Sequence, residues 1–228
     1  MKPYYDDGQA VIYHGDNREI RLIEGVDAIV TDPPYGMGWD TDSSRFSGGQ
    51  PSSRYKRGRG RSDWGAVGGD DEAFDPTPWL TFAQVILWGA NHYAGKLPVG
   101  TTLVWIKRFE EAYGTFLSDA EVAWMKGGYG VYCRRDTSLM SHTGERFHPT
   151  QKPVALMRWC HEKTTGVILD PYMGSGTTLL AAKDLERKAI GIEREEKYCE
   201  IAARRLEQGV LNFSDDGTVM SQNQAEVI

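Results

Sequence analysis

One stretch, residues 167–193, limits what this chain can fold into more than any other. A short apolar run, 167–169, ends at Asp170, and Pro171-Tyr172-Met173-Gly174-Ser175-Gly176-Thr177-Thr178 forms a tight turn. Residues 179–185 read as a helix, and a second apolar run, 189–192, ends at Glu193. The same rhythm opens the chain. A strand over 10–14 leads to Gly15-Asp16, a helix is expected over 17–24, and an apolar run covers 26–30. Strand, helix and strand within so few residues is the pattern of a parallel α/β sheet. Gly174 and Gly176 let the backbone come close to a ligand and turn N–H groups toward it. Glu193 follows Asp170 by 23 residues, which suits a carboxylate accepting hydrogen bonds from ribose hydroxyls at the expected spacing of about 20. A phosphate loop needs a lysine that Gly-Ser-Gly-Thr-Thr lacks, and a dinucleotide fingerprint needs a glycine where Leu179 stands. A turn for a mononucleoside with a zwitterionic tail remains, against a plain βα turn as the alternative.

The apolar run 26–30 delivers Asp32-Pro33-Pro34-Tyr35 onto a loop. The Asp32 carboxylate and the neighbouring carbonyl can each accept a hydrogen from a planar amine. Pro33 and Pro34 have fixed φ and no N–H, so the loop is stiff and its carbonyls can face outward. The Tyr35 ring offers a face for stacking. Asp and Pro are also ordinary turn residues, and taken alone the four fit a strand-ending turn better than an active site.

Between the two constellations the composition changes. Residues 36–75 are rich in Gly, Ser and Arg without sustained apolar period, and carry Arg45, Arg54, Lys56, Arg57, Arg59 and Arg61 among glycines, Tyr55 and Trp64. Such a basic insertion suits a phosphate backbone, and a solvated linker is the competing reading. Further on, a short helix is expected over 78–83 and strands over 85–88 and 101–106. Residues 120–125 and 130–133 read as an antiparallel hairpin joined through Gly127-Gly128, because no helix fits between them. Residues 134–147 read as loop, 153–161 as a helix begun by proline, and 197–206 as a helix with Tyr198, Ile201, Ala202 and Leu206 on one face. From 209 to 228 a loosely held tail is expected.

At 228 residues the chain fits one domain, 1–208. Its net charge of −6 excludes a surface coated in positive charge but not a local basic patch. Three scattered cysteines, none in a Cys-x-x-Cys pair, fit a reducing compartment, so a cytoplasmic location is expected. There is no signal peptide and no apolar stretch of spanning length, so no membrane partner is expected. His161-Glu162 begins a zinc-protease run, but Thr165 stands where the second histidine belongs, so no metal is expected.

Three motifs together, Asp32-Pro33-Pro34-Tyr35, His148-Pro149-Thr150-Gln151-Lys152-Pro153 and Asp170 through Thr178, resemble the amino-methyltransferases of DNA, in the motif order of their beta group. The similarity runs from about residue 15 to 206. It is weakest in the basic insertion and in 113–147, which becomes the candidate target-recognition region.

The resemblance implies a Rossmann-like, seven-stranded, mostly parallel sheet with an antiparallel hairpin strand, in circularly permuted motif order. Moving the last helix ahead of Ala10 restores the commoner layout. It implies S-adenosylmethionine as cofactor, with Asp170, Pro171, Gly174, Ser175, Gly176 and Thr177 around the methionine part. Glu193 would take the ribose and Asp16 would meet the adenine. Lys152 and the helix behind it would close over the methionine end. The implied reaction is methyl transfer to an exocyclic amine of a flipped-out base in double-stranded DNA, at adenine N6. Asp32, Pro33, Pro34 and Tyr35 would be its catalytic loop, and the cationic side chains of 45–61 would track phosphates. Cytosine N4 and a protein glutamine amide are the alternative acceptors, and a DNA-binding protein without catalysis is a third class. Trp39, Trp105 and Phe109 are candidates for the base pocket or for the core, and a homodimer is a candidate assembly.

Overall fold

Two neighbouring strands show what holds the sheet in place. In β3 (Ala28–Thr31), Ala28 and Val30 face one side and Ile29 the other. In β4 (Gln84–Trp88), Ile86 and Trp88 continue the first set, and Val85 and Leu87 the second. All seven side chains are buried. Burial on both faces is what central strands of a parallel sheet require.

The computed structural model describes residues 2–18, 23–38, 70–115, 118–137 and 151–208, and the backbone of two short strands beyond them. The other elements are β1 (Tyr5–Asp6), β2 (Ala10–His14), β5 (Gly100–Ile106), β6 (Ala120–Arg135), α1 (Val154–His161), β7 (Ile168–Asp170), α2 (Thr177–Lys183), β8 (Ala189–Glu193) and α3 (Glu196–Glu207). The sheet order is β1-β2-β8-β7-β3-β4-β6-β5. Strands β2, β8, β7, β3 and β4 run parallel, and β1 caps one edge antiparallel. From β7 the chain moves outward to β8, and from β3 it moves the other way to β4. The order therefore reverses between β7 and β3, where a cleft opens at the carboxyl ends of the strands.

Helices α1, α2 and α3 cover one face through Leu156, Met157, Cys160, Leu179, Ala182, Cys199, Ala202 and Leu206. Phe74, Trp79 and Tyr93 pack on the other, the Phe74 and Tyr93 rings edge to face at 4.8 Å. On α3 the buried residues are Tyr198, Cys199, Ala202 and Leu206, and Ile201 is only half-buried. Among the described residues no helix is long and apolar enough to cross a membrane.

The expected pairing of 120–125 with 130–133 is overturned, because β5 lies between them. Thr101↔Met125 through Ile106↔Ala120 run in opposite senses, whereas Thr102↔Val131 through Ile106↔Arg135 run in the same sense. The hairpin is therefore formed by β5 and the first arm of β6, and that arm also pairs antiparallel with β4. The chain crosses the start of β5 at Gly127 and Gly128, with φ of 83° and 66°. Thr101 Oγ1 donates to the Gly127 carbonyl at 2.9 Å, and a Cβ on Gly128 would meet that hydroxyl oxygen at 2.5 Å. Arg134 and Arg135, expected in a loop, end the second arm.

Other expectations shift less. Asn17, Arg18, Ile23 and Glu24, the described part of the expected helix over 17–24, are turn and irregular chain. The 78–83 helix is one 3₁₀ turn, Trp79–Thr81. The region after 208 includes an antiparallel pair, β9 (Asn212–Phe213) with β10 (Val219–Met220), where a featureless tail was expected. Arg45, Arg54, Lys56, Arg57, Arg59 and Arg61, with Trp39, Tyr55, Trp64 and His148-Pro149-Thr150, lie outside the described residues. The two ends of α3 and β2 meet at Lys183, whose Nζ reaches the Leu206 carbonyl at 3.1 Å and Asp7 Oδ2 at 2.6 Å. This contact agrees with the permuted layout.

Candidate functional site

The carboxyl ends of the parallel strands bring Asp16, Asp32, Asp170 and Glu193 to the rim of one cavity of about 1290 Å³. Strand β3 delivers Asp32 and β7 delivers Asp170. The register Ala28↔Ile168 and Ile29↔Leu169 makes the two strands direct neighbours, with Asp170 level with Val30, two residues before Asp32.

The loop after β3 is braced from several sides. Tyr35 donates its hydroxyl to Asp32 Oδ1, and Lys152 Nζ is ion-paired with Asp32 Oδ2. Lys152 also donates to the Tyr35 oxygen at 3.4 Å. The Tyr35 ring lies over Gly89, where a Cβ would sit 2.0 Å from its Cε1. It stacks on the His92 ring at 4.7 Å and 12°. One face of the ring expected to be open is thus already covered. Beyond Tyr35, the N–H groups of Gly36 and Met37 donate to Asp70 Oδ1 at 2.8 and 3.3 Å, and Gly38 N–H donates to the Asp70 carbonyl at 2.7 Å. Asp70 therefore staples together the two flanks of the stretch 39–69.

Lys152, expected to close over the methionine end of the cofactor, lines the same cavity as the turn. Its side chain, 6% exposed, lies between Asp32 and Glu121, with Glu121 Oε2 at 3.0 Å. Glu121 Oε1 also takes Lys107 Nζ at 2.7 Å. Burial pushes the Asp32 carboxyl up from the usual carboxylate range, and Lys152 opposes that shift. Burial acts to lower Lys152, yet the Asp32 and Glu121 carboxylates hold its ammonium well above the usual lysine value. For Glu121, burial is outweighed by the Lys152 and Lys107 ammoniums, which hold it down to about 2.

At the second constellation, Asp170 is buried and its carboxylate holds the fold around it. It accepts from Thr31 Oγ1 at 2.6 Å, Thr178 Oγ1 at 2.5 Å and the Tyr172 N–H at 3.1 Å. Burial raises it to about 6, against those three bonds and with Asp32 adding to the rise. The turn glycines do not aim their N–H groups as expected. Gly174 N–H donates to Glu193 Oε2 at 3.1 Å, and Gly176 N–H donates to the Met173 carbonyl at 2.9 Å. Gly176 is needed for another reason. Its φ is 79°, and a Cβ there would lie 2.7 Å from the Ala202 Cβ on α3. Glu193 also accepts from the Glu195 N–H at 2.8 Å, and burial raises its carboxyl. Arg205 of α3 donates to the Ser175 carbonyl at 2.5 Å, to its Oγ at 3.2 Å and to Thr177 Oγ1 at 3.4 Å. Asn17 Nδ2 donates to the Pro171 carbonyl at 3.2 Å. The hydrogen bond and charge of Arg18 hold Asp16 down to about 2.

Sequence reasoning did not single out Asp70, His92, Lys107, Glu121 or Arg205. None stands in a motif, and each acts through a contact distant in sequence. Of the three aromatic candidates, Trp105 is buried with its indole N–H donated to the Asp136 carbonyl at 2.7 Å, and Phe109 is exposed. Trp39 lies outside the described residues.

The sequence profile of a DNA methylase family, N6_N4_Mtase, matches residues 130–204. The chain is 28% identical to the type II methyltransferase M2.LlaDCHI of Lactococcus lactis subsp. cremoris, over 91% of this chain and 93% of that protein. Type II methyltransferase M.HinfI of Haemophilus influenzae is 40% identical over 86 residues, 36% of this chain and 24% of that protein. Among solved structures, the M1.HpyAVI–SAM complex aligns with a TM-score of 0.53 at 24% identity, over 86% of this chain and 98% of that one. The PvuII DNA methyltransferase, described as cytosine-N4-specific, aligns with a TM-score of 0.57 at 16% identity, over 90% of this chain and 88% of that one. These structures share the Rossmann-like methyltransferase fold, and by sequence the chain is similar to the DNA amino-methyltransferases of the N6/N4 family.

Proposed function

We propose that the protein transfers a methyl group from S-adenosylmethionine to N6 of adenine in double-stranded DNA, with the target base flipped out of the helix. The observation that carries this reading is the adjacency of β3 and β7. It brings an amine acceptor, Asp32, and a nucleoside-type turn to neighbouring strand ends beside the switch point. The residues present fit the cofactor. Glu193 is an acid at the tip of β8 that lines the cavity and would take the ribose hydroxyls, and Asp16 lines it at the tip of β2. The turn from Gly174 to Thr177 carries no charged side chain to pair a phosphate. Asp170, Pro171, Gly176, Ser175 and Thr177 shape that turn, through Thr31, Thr178, Asn17 and Arg205.

When bound, S-adenosylmethionine supplies an electrophilic methyl group on a cationic sulfonium. The chain's task is to place the nucleophile. Asp32 and the Pro33 carbonyl accept the two amine hydrogens, which draws the nitrogen lone pair out of conjugation and aims it. Asp32 then takes the proton that the amine sheds, helped by the burial that raises its proton affinity. Tyr35, backed by His92, stacks the extruded base, a contact worth ~1–3 kcal/mol, against a flipping cost of a few kcal/mol. Holding both reactants in line supplies much of the acceleration. Lys152 acts at the catalytic acid, where its ammonium lies. Arg45, Arg54, Lys56, Arg57, Arg59 and Arg61 supply the phosphate contacts, a role supported by their composition. The Asp that opens the catalytic motif favours adenine over cytosine as target.

The test is to incubate the protein with labelled S-adenosylmethionine and mixed-sequence DNA, digest to nucleosides and identify the methylated one. N6-methyladenine is expected. N4-methylcytosine would overturn the base assignment alone, and label on a protein glutamine would overturn DNA as the acceptor.

A further inference from the structure

Two carboxylates compete for one buried ammonium. Lys152 is paired with Asp32 Oδ2, and Glu121 Oε2 lies 3.0 Å from it on the other side. Lys107 in turn holds the second Glu121 oxygen at 2.7 Å. Lys107, Glu121, Lys152 and Asp32 thus form a neutral row of alternating charge around the buried Lys152, whose ammonium needs opposite charge beside it. Glu121 belongs to the first arm of β6, so the strand inserted between β4 and β5 is what brings it to the site. Both Asp32 oxygens are engaged, Oδ1 by the Tyr35 hydroxyl and Oδ2 by Lys152. An oxygen drawn wholly to an ammonium is a weak acceptor for a neutral amine, so something must hold the ammonium back.

We propose that Glu121 is a positioning residue for methyl transfer: it shares the Lys152 ammonium with Asp32, so that Asp32 keeps its acceptor strength for the substrate amine. The inference rests on the reading of Asp32 as the residue that receives the amine. Groups facing Asp32 are Lys152 ahead of α1, Glu121 on β6, Tyr35 on its own loop, Tyr93 after β4 and Asp170 on β7. Neutralising Glu121 removes a repulsion from Asp32 and lets Lys152 close fully on it. Both effects favour ionised Asp32, so its titration moves to lower pH while its pull on the amine weakens. Removing Lys107 acts in the opposite sense, because Glu121 is then left to Lys152 alone.

The experiment compares wild type with Glu121→Gln, Glu121→Asp and Lys107→Met. One readout is the carboxyl carbon-13 titration of Asp32 without substrate. The other is kcat against pH, with KM for S-adenosylmethionine. In Glu121→Gln the Asp32 midpoint should fall, kcat should drop on the order of tenfold and KM should stay within about twofold. Glu121→Asp should recover part of both effects, and Lys107→Met should raise the midpoint. An unmoved midpoint in both Glu121→Gln and Lys107→Met overturns the proposal, whatever the activity. An equal loss of kcat in the Gln and Asp variants with an unmoved midpoint would mark Glu121 as structural only. A midpoint that moves in the variants while wild type methylates no DNA supports the contact and sinks the functional reading instead.

Discussion

Tyr35 can lie where it does because residue 89 has no side chain. The ring sits on the Gly89 backbone, whose φ of 73° also favours glycine. Gly89→Ala should therefore displace the ring and lower methyl transfer by at least about tenfold, with little change in cofactor affinity. Turnover alongside calorimetric titration of the cofactor checks this, and a parallel loss of affinity would refute it. Asp170 invites a different measurement. Its carboxyl is raised in the fold to about 6, above the ordinary 3.9 of an unfolded aspartate. The protonated form thus favours folding, and this stabilisation is complete below about pH 4 and lost as pH rises through about 6. The loss is on the order of 3 kcal/mol. Asp7 and Asp16, held down to about 2, act below that window. In cofactor-free protein, Asp170→Asn should flatten the dependence of melting temperature on pH between about 4 and 6. A slope unchanged from wild type would show that Asp170 does not titrate there. The sequence marks Asp170 and Glu193 as special by position. It does not show that Asp170 spends its oxygens on Thr31 and Thr178, because those partners come from β3 and α2.

The crossover from β7 through α2 to β8 is legible because its signals are local: an apolar run, a glycine turn, a helical run and a second apolar run within 27 residues. The close approach of α2 to α3 is not, since nothing near residue 176 identifies Ala202 as its neighbour. Gly176→Ala should cost ~1–3 kcal/mol through the clash and the left-handed backbone together. Ala202→Gly should return part of that cost, measured as a double-mutant cycle in denaturant. Purely additive effects would disprove the contact. The two arms of β6 illustrate the limit of local reading. Gly127-Gly128 looks like a tight turn in sequence, but whether the flanking strands pair or straddle a third depends on β5, some twenty residues earlier.

The junction at Lys183 turns the permuted motif order into a physical statement, because one ammonium holds both the end of α3 and the approach to β2. A chain joined from residue 208 to residue 2 by a flexible linker, and opened between residues 137 and 151, should fold and bind cofactor. Its melting temperature should fall by roughly 5 °C or less. Circular dichroism and cofactor titration test this, and an unfolded product would show that the connection through 138–150 is essential to the sheet. The amino-acid sequence by itself determined the α/β class, the strand-end positions of Asp32, Asp170 and Glu193, and the family resemblance, because each depends on short-range pattern and spacing. Only the tertiary structure decided that β5 separates the arms of β6, that His92 already covers one face of Tyr35, and that Lys152 is shared by Asp32 and Glu121. Those facts depend on which distant strand ends meet around the cavity, and pairing of that kind is set by the packing of the whole sheet rather than by any stretch within it.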